Sequence, residues 1–165
     1  MNPILIAQET LEIEAKALID AMQSIDESFI KAIEIIEQTK GKLIVTGVGK
    51  SGLVGAKMAA TFASTGMASF FLHPTEALHG DLGMIGKSDT VLAISYSGES
   101  EELVRILPHV KRFDIPLIGM SAESNSTLGL YSDTLLSIAI EKEACPLGAA
   151  PTTSTTLTMA IGDAL

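Results

Sequence analysis

The stretch Leu43-Ile44-Val45-Thr46-Gly47-Val48-Gly49-Lys50-Ser51-Gly52 limits the possible folds more than any other part of the chain. An apolar, β-branched run stops at glycines, a Lys-Ser pair follows, and an alanine-rich helical pattern begins. That order predicts a buried parallel strand, a tight turn and a helix N-terminus. A helix N-terminus carries unpaired N–H groups and the positive end of the dipole, so it attracts anions. Glycines let the backbone approach such an anion because no Cβ stands in the way. Phosphate is the first ligand to expect.

Two phosphate motifs can be tested against this stretch. Gly47, Gly49 and Gly52 satisfy G-x-G-x-x-G, the dinucleotide fingerprint. That fingerprint also wants an acidic residue about 20 residues on, at the end of the next strand, for the ribose. The next strand ends Phe70-Phe71-Leu72-His73, without an acid. Gly49-Lys50-Ser51 resembles the end of a P-loop, but the first glycine of that motif would fall at position 44, which is Ile44. Both nucleotide readings lose their second anchor, and a small phosphorylated ligand remains.

From Leu43 onward, strand and helix patterns alternate. Strands are expected at 42–47, 68–72, 90–95, 116–120 and 134–140, and helices at 52–65, 100–112, near 125–130, and after Pro151. Residues 73–83 read as a loop with one helical turn after Pro74. This rhythm predicts an α/β fold: a three-layer αβα sandwich around a five-stranded parallel sheet in the flavodoxin-like order 2-1-3-4-5. Two helices precede it in residues 1–40. The first carries an apolar stripe of Ile4, Ala7, Leu11, Ala15, Leu18, Met22 and Ile25. That stripe reads equally as cover for its own sheet or as a face shared with a neighbouring subunit. Ser24-Ile25-Asp26-Glu27 looks like a capping box for the second helix.

At 165 residues the chain reads as a single domain, residues 1–165, with 41–165 as its doubly wound core. The mean hydropathy of +0.37 is high for a soluble monomer, yet no apolar run has the length of a membrane span. The apolar excess points to subunit contacts. A formal charge of −9 argues against nucleic acid as a partner. One cysteine, Cys145, excludes an internal disulfide, and the N-terminus lacks the order of a signal peptide, so the reading is cytoplasmic. The last helix ends in mid-pattern at Leu165, and the natural chain is expected to continue.

A second turn repeats the logic of the first. Val91-Leu92-Ala93-Ile94-Ser95 is a strand, Tyr96-Ser97-Gly98-Glu99-Ser100 a turn, and Glu101 opens a helix. Hydroxyl and backbone donors converge there on one point. In the order 2-1-3-4-5, strands one and three are neighbours at the switch point, so both turns open into the same crevice.

Gly49-Lys50-Ser51 together with Ser95-Tyr96-Ser97-Gly98-Glu99-Ser100 resembles the sugar isomerase (SIS) domain, whose serine-rich loop holds a sugar phosphate. The likeness sharpens at Lys57–Gly66, at His73-Pro74, at His79-Gly80-Asp81-Leu82-Gly83-Met84, at Lys142–Gly148 and at Pro151-Thr152. Together these are similar to the arabinose-5-phosphate isomerase family. The resemblance covers nearly the whole chain from Leu43. It implies interconversion of D-ribulose 5-phosphate and D-arabinose 5-phosphate, the entry step to the lipopolysaccharide and capsule sugar Kdo.

An aldose–ketose isomerisation needs a base at the carbon acid, an acid or cation at the oxygens, and a group that opens a cyclic sugar. The resemblance places the critical positions at Lys50, Glu102 and Glu143, with His79 against the substrate. Lys50 would polarise the enediolate or neutralise the phosphate. Glu143 is the first choice for the base, although the sequence does not decide between it and Glu102. His79 would shuttle protons during ring opening or bond a sugar hydroxyl. Substrate contacts are expected from Gly49, Ser51, His73, His79, Ser95, Ser97, Gly98 and Ser100, and from the Gly66-Met67 corner near a subunit boundary. No cofactor is required. A zinc ion at His73 would be inhibitory or adventitious, because His73 and His79 do not have a helical ligand spacing. Cys145 reads as a packed thiol.

The resemblance also implies a homotetramer. It departs in one respect: the family continues past the last helix with a Ser-His-Pro-Gly-Gly segment and often a pair of regulatory cystathionine-β-synthase-type domains, and this chain stops before them. The alternative function is a non-catalytic SIS module that senses a sugar phosphate. Such a module needs the phosphate serines but not Lys50, Glu143 and His79.

Overall fold

Apolar runs without a polar face suit strands that are covered on both sides. The computed structural model, which describes residues 2–165, contains five of them. They are β1 (Leu43–Gly47), β2 (Ser69–Leu72), β3 (Thr90–Ile94), β4 (Leu117–Ser121) and β5 (Thr134–Ser137). All pair in parallel in the order β2-β1-β3-β4-β5, as the sequence predicts. The helices are α1 (Pro3–Ser24), α2 (Glu27–Gln38), α3 (Gly49–Ser64), α4 (Pro74–Leu78), α5 (Glu101–Arg112), α6 (Thr127–Tyr131) and α7 (Thr153–Ala164), with a 3-10 turn at Asp81–Met84.

Alternate strand residues point to opposite faces of the sheet, and each face has its own core. Leu43, Val45, Leu92, Ile94, Ile118 and Met120 pack with Met58 and Phe62 of α3 and Leu157 and Ile161 of α7. Ile44, Val91, Ala93 and Leu117 pack with Ala77 of α4, Leu103, Ile106, Leu107 and Val110 of α5, and Leu128 of α6. Each fully buried Leu or Ile contributes roughly 1.5–3 kcal/mol of burial free energy. The two cores clamp the sheet between two helical layers.

The register places the site. Gly47 pairs with Ile94, so β1 and β3 end level and their chains leave the sheet side by side. Strand order reverses between them, which makes this the switch point where open α/β sheets bind ligands. Among the described residues no helix is long and apolar enough to cross a membrane.

Three local expectations are corrected, and a fourth, left open, is divided. The helix after β1 starts at Gly49 rather than near 52, so Lys50 and Ser51 lie in its first turn. The cap of α2 is Asp26, whose carboxylate accepts from the Ser28 amide at 2.8 Å, while Ser24 belongs to α1 and donates to the Ala21 carbonyl. Strand β5 ends at Ser137 instead of 140. The stripe of α1 is divided between its two readings: Leu18 packs against the core and the helix packs on α7, while Ile4, Leu11 and Met22 are two-thirds or more exposed.

Candidate active site

At the first corner the chain turns at Gly49 with φ of 59°, in the left-handed region that favours glycine. α3 then approaches so closely that a Cβ on Gly52 would lie 2.7 Å from the Gly47 carbonyl oxygen. The glycine fingerprint is therefore accounted for by helix–strand contact, without a nucleotide. Val48 occupies the N-cap and supplies no side-chain acceptor, so the first amides of α3 stay open. Lys50 is exposed and has no ion-pair partner among the described residues.

At the second corner hydroxyls bond to one another. Ser95 and Ser100 share a hydrogen bond of 2.9 Å, the Gly98 amide donates to Ser95 Oγ at 3.1 Å, and the Glu99 amide donates to Ser97 Oγ at 3.2 Å. Ser100 sits at the N-cap of α5 but makes no capping bond. Four other helix starts differ, and the fifth, that of α7, has its amides met by Glu143 from outside the helix. Asn2, Asp26, His73 and Ser126 cap α1, α2, α4 and α6 with their own side chains. α3 and α5, whose corners meet at the switch point, have no such cap.

The far wall comes from the segment between β5 and α7. Glu143, Lys50 and Ser51 line one cavity of about 250 Å³, together with Tyr96, Ser154 and Thr155. Glu143 caps α7 from a distance. The Thr152 amide donates to its Oε2 at 2.8 Å, the Ser154 amide to the same oxygen at 3.2 Å, and the Ser154 hydroxyl to Oε1. Burial pushes the Glu143 carboxyl up, but the bonds from Ser154 and Thr152 outweigh it and hold the group below the ordinary range. Glu143, whose carboxylate form is favoured, and Lys50, with no ion-pair partner among the described residues, thus line one cavity.

Glu102, His73 and His79 stand at the same edge of the sheet but do not line this cavity. Glu102 is half-buried in the first turn of α5. His79 is exposed at the end of α4. His73 opens α4, and its Nδ1 accepts from the Thr75 amide at 3.2 Å, which leaves Nε2 alone for any other bond. One nitrogen is a poor zinc site, and among the described residues no three His, Cys, Asp or Glu side chains converge. Gly66 and Met67 are not brought to the site: they follow the end of α3 and precede β2, at the opposite edge of the sheet, because α3 carries the chain back to the start of the strands. The Cys145 thiol lies below its ordinary range, because the amides of Ala149, Leu147 and Ala150 favour the thiolate over a smaller opposing effect of burial.

Sequence reasoning missed Ser154, Thr155, Thr158 and Tyr96 on the cavity wall. The threonine run after Pro151 looked like an ordinary helix start. The signal that could have found them is the unusual density of hydroxyls, Thr152-Thr153-Ser154-Thr155-Thr156, at a helix N-terminus beside a carboxylate loop.

An open parallel sheet with two uncapped helix N-termini at its switch point defines a class of anion-receiving α/β domain. Residues 35–165 match the SIS domain family, and the chain belongs to it. A solved structure, that of E. coli CFT073 c3406 in complex with arabinose 5-phosphate, superposes with a TM-score of 0.94 at 41% identity, over 99% of this chain and 89% of that one. Arabinose 5-phosphate isomerase KdsD of Yersinia pestis is 54% identical over 158 residues, 96% of this chain and 48% of the relative. The protein of the same name from Francisella tularensis is 51% identical over 162 residues, 96% of this chain and 50% of the relative. The chain spans about half the length of these curated relatives.

Proposed function

We propose that this chain is the isomerase part of an arabinose 5-phosphate isomerase, interconverting D-arabinose 5-phosphate and D-ribulose 5-phosphate and so supplying Kdo synthesis. One observation carries the reading: Lys50 and Glu143 share a cavity beside the two uncapped helix starts. The similarity to relatives with that name and to a structure holding arabinose 5-phosphate supports the same substrate.

In this reading the phosphate takes the open amides and hydroxyls of the Ser95–Ser100 corner. Glu143 removes the proton from C2 of the aldose. The C–H electron pair forms the C1=C2 bond, and negative charge moves to O1, near the Lys50 ammonium. Return of the proton to C1, with transfer of the O2 proton to O1, gives the 2-ketose. His79 serves ring opening, and Glu102 takes part in proton exchange or in orienting the sugar. No step needs a metal held by His73. The working form is a cytoplasmic homotetramer, for which the outward apolar residues of α1 supply contact surface.

The test follows conversion of D-ribulose 5-phosphate to D-arabinose 5-phosphate by the chain and by Glu143→Gln. Turnover by the first and none by the second, with inorganic phosphate still bound by both, supports the isomerase. Phosphate-sugar binding without turnover in either would make the domain a sensor module instead.

A further inference from the structure

The two oxygens of Glu143 are used unequally. Oε2 accepts three donors: the Thr152 amide at 2.8 Å, the Thr152 hydroxyl at 3.2 Å and the Ser154 amide at 3.2 Å. Oε1 accepts one, the Ser154 hydroxyl. A carboxylate offers roughly four acceptor sites over its two oxygens. Oε2 is therefore full, and Oε1 keeps one lone pair.

Both hydroxyl donors are themselves fixed. Thr152 Oγ1 accepts from the Cys145 amide at 3.0 Å. Ser154 is 5% exposed, lies on the wall of the Lys50–Glu143 cavity, and has its backbone carbonyl bonded by the Thr158 hydroxyl at 2.6 Å. A helix cap needs only an acceptor for the amides. It does not need a further hydroxyl on the oxygen that those amides leave unused.

We propose that Ser154, supported by Thr152, is a positioning residue for the isomerisation: it locks the Glu143 carboxylate so that Oε1 alone presents a lone pair to the substrate. This rests on the reading of Glu143 as the base. The proton leaving C2 bonds to that lone pair of Oε1 and the carboxylate becomes neutral. The electron pair stays on the substrate as the enediolate, and the Ser154 bond occupies the other site on Oε1. Nothing has to rotate in either half of the reaction. Return of the proton to C1 restores the starting state.

The charged and titratable groups that line a cavity with Glu143 are Lys50 and Tyr96 on one side, and Glu9 of α1, Lys142 and Cys145 on the other. All of them remain in the variants that test the proposal, so a difference between variants reports on Ser154. The experiment compares Ser154→Ala, Ser154→Thr and Ser154→Cys in the full chain. It uses carboxyl ¹³C titration of Glu143 and pH profiles of kcat and kcat/KM with arabinose 5-phosphate. In Ser154→Ala the Glu143 carboxyl titrates at higher pH, and the acidic limb of kcat/KM moves the same way. The plateau kcat falls about tenfold or more, because a bond to a charged group is lost, and KM stays nearly constant. Ser154→Thr restores both readouts. Ser154→Cys, a weaker donor of similar size, falls between and serves where alanine does not fold.

An unmoved Glu143 titration in Ser154→Ala overturns the proposal. So does a lower Tm with an unchanged pH profile, which is a cap and nothing more, or a raised KM at constant kcat, which makes Ser154 a substrate ligand. If the titration moves and the acidic limb does not, Glu143 itself leaves the base role. The proposed mechanism then falls separately from the lock on the carboxylate.

Discussion

Glu143 holds Ser154 twice: Oε1 takes its hydroxyl, and Oε2 takes its amide at 3.2 Å. Burial pushes the carboxyl up, yet the bonds from Ser154 and Thr152 bring it below the ordinary value of 4.5. A carboxyl lowered in the folded state adds stability above its unfolded pKa and loses it as pH falls through the folded one. The contribution of Glu143 is thus complete at neutral pH and fades from about pH 4.5 downward. Glu143→Gln, which keeps one acceptor oxygen but sets an amide against the donors, is expected to cost about 1–2 kcal/mol at neutral pH. Thermal unfolding of both proteins from neutral to acid pH checks this: the gap in Tm holds steady near neutrality and closes in acid.

Lys50 separates function from stability. Its side chain is exposed and makes no ion pair among the described residues. Replacing it with Met is expected to change stability by no more than about 0.5 kcal/mol. Turnover should fall by about two orders of magnitude or more, the scale for losing a group that stabilises developing charge. Chemical denaturation and steady-state kinetics on the same preparation decide it. A large loss of stability would mean that Lys50 holds the corner together instead.

Gly98 tests whether the serine corner must keep its shape. Its φ is 69°, and a Cβ there would lie 2.0 Å from Ser126 Oγ, the side chain that caps α6. Gly98→Ala therefore strains the backbone and displaces a cap. The expected cost is about 2–3 kcal/mol, adding a left-handed residue to a disturbed cap. Phosphate affinity should drop with it, because the Gly98 amide is part of the Ser95 network. Urea unfolding and phosphate titration measure the two effects. Unchanged stability would show that the corner flexes freely.

The sheet could be read from the sequence because its signals are local. The β-branched run into Gly47 and the run into Ser95 each mark a strand end followed by a helix start, and the strand order follows from placing both at one crevice. The features that escaped depend on contacts between distant residues or on near-equal local choices. Glu143 serves α7 from 9 to 11 residues away, across a loop, so no capping pattern reveals it. Ser24 and Asp26 both fit a cap, and only the path of the chain selects Asp26. Ile138 and Ile140 prolong the alternation of β5 past its last paired residue, Ser137. The stripe of α1 looks like a core face by periodicity, but the helix packs on α7 and much of the stripe stays exposed. Lys50 and Glu143 were legible as candidates. Their sharing of one cavity with the hydroxyls of α7 was not.

Asp89 shows what holds the opposite edge of the sheet, away from the candidate site. It is 5% exposed, and its carboxylate accepts from the Lys42 amide at 2.8 Å and the Gly86 amide at 2.7 Å. One side chain thus ties the segment entering β1 to the turn before β3, where a Cβ on Gly41 would already lie 2.2 Å from Asp89 Oδ1. Removing it leaves two amides without their charged acceptor. Asp89→Ala is expected to cost about 3–6 kcal/mol, from two charge-assisted bonds of roughly 1.5–3 kcal/mol each. Asp89→Asn keeps one oxygen and should cost about half as much. Because β1 and β3 carry both corners of the site at their other ends, the variants that remain folded should keep an unchanged KM. Urea unfolding read beside KM is the measurement, and a raised KM in folded Asp89→Asn would show that the register of β1 and β3 shifts along their whole length.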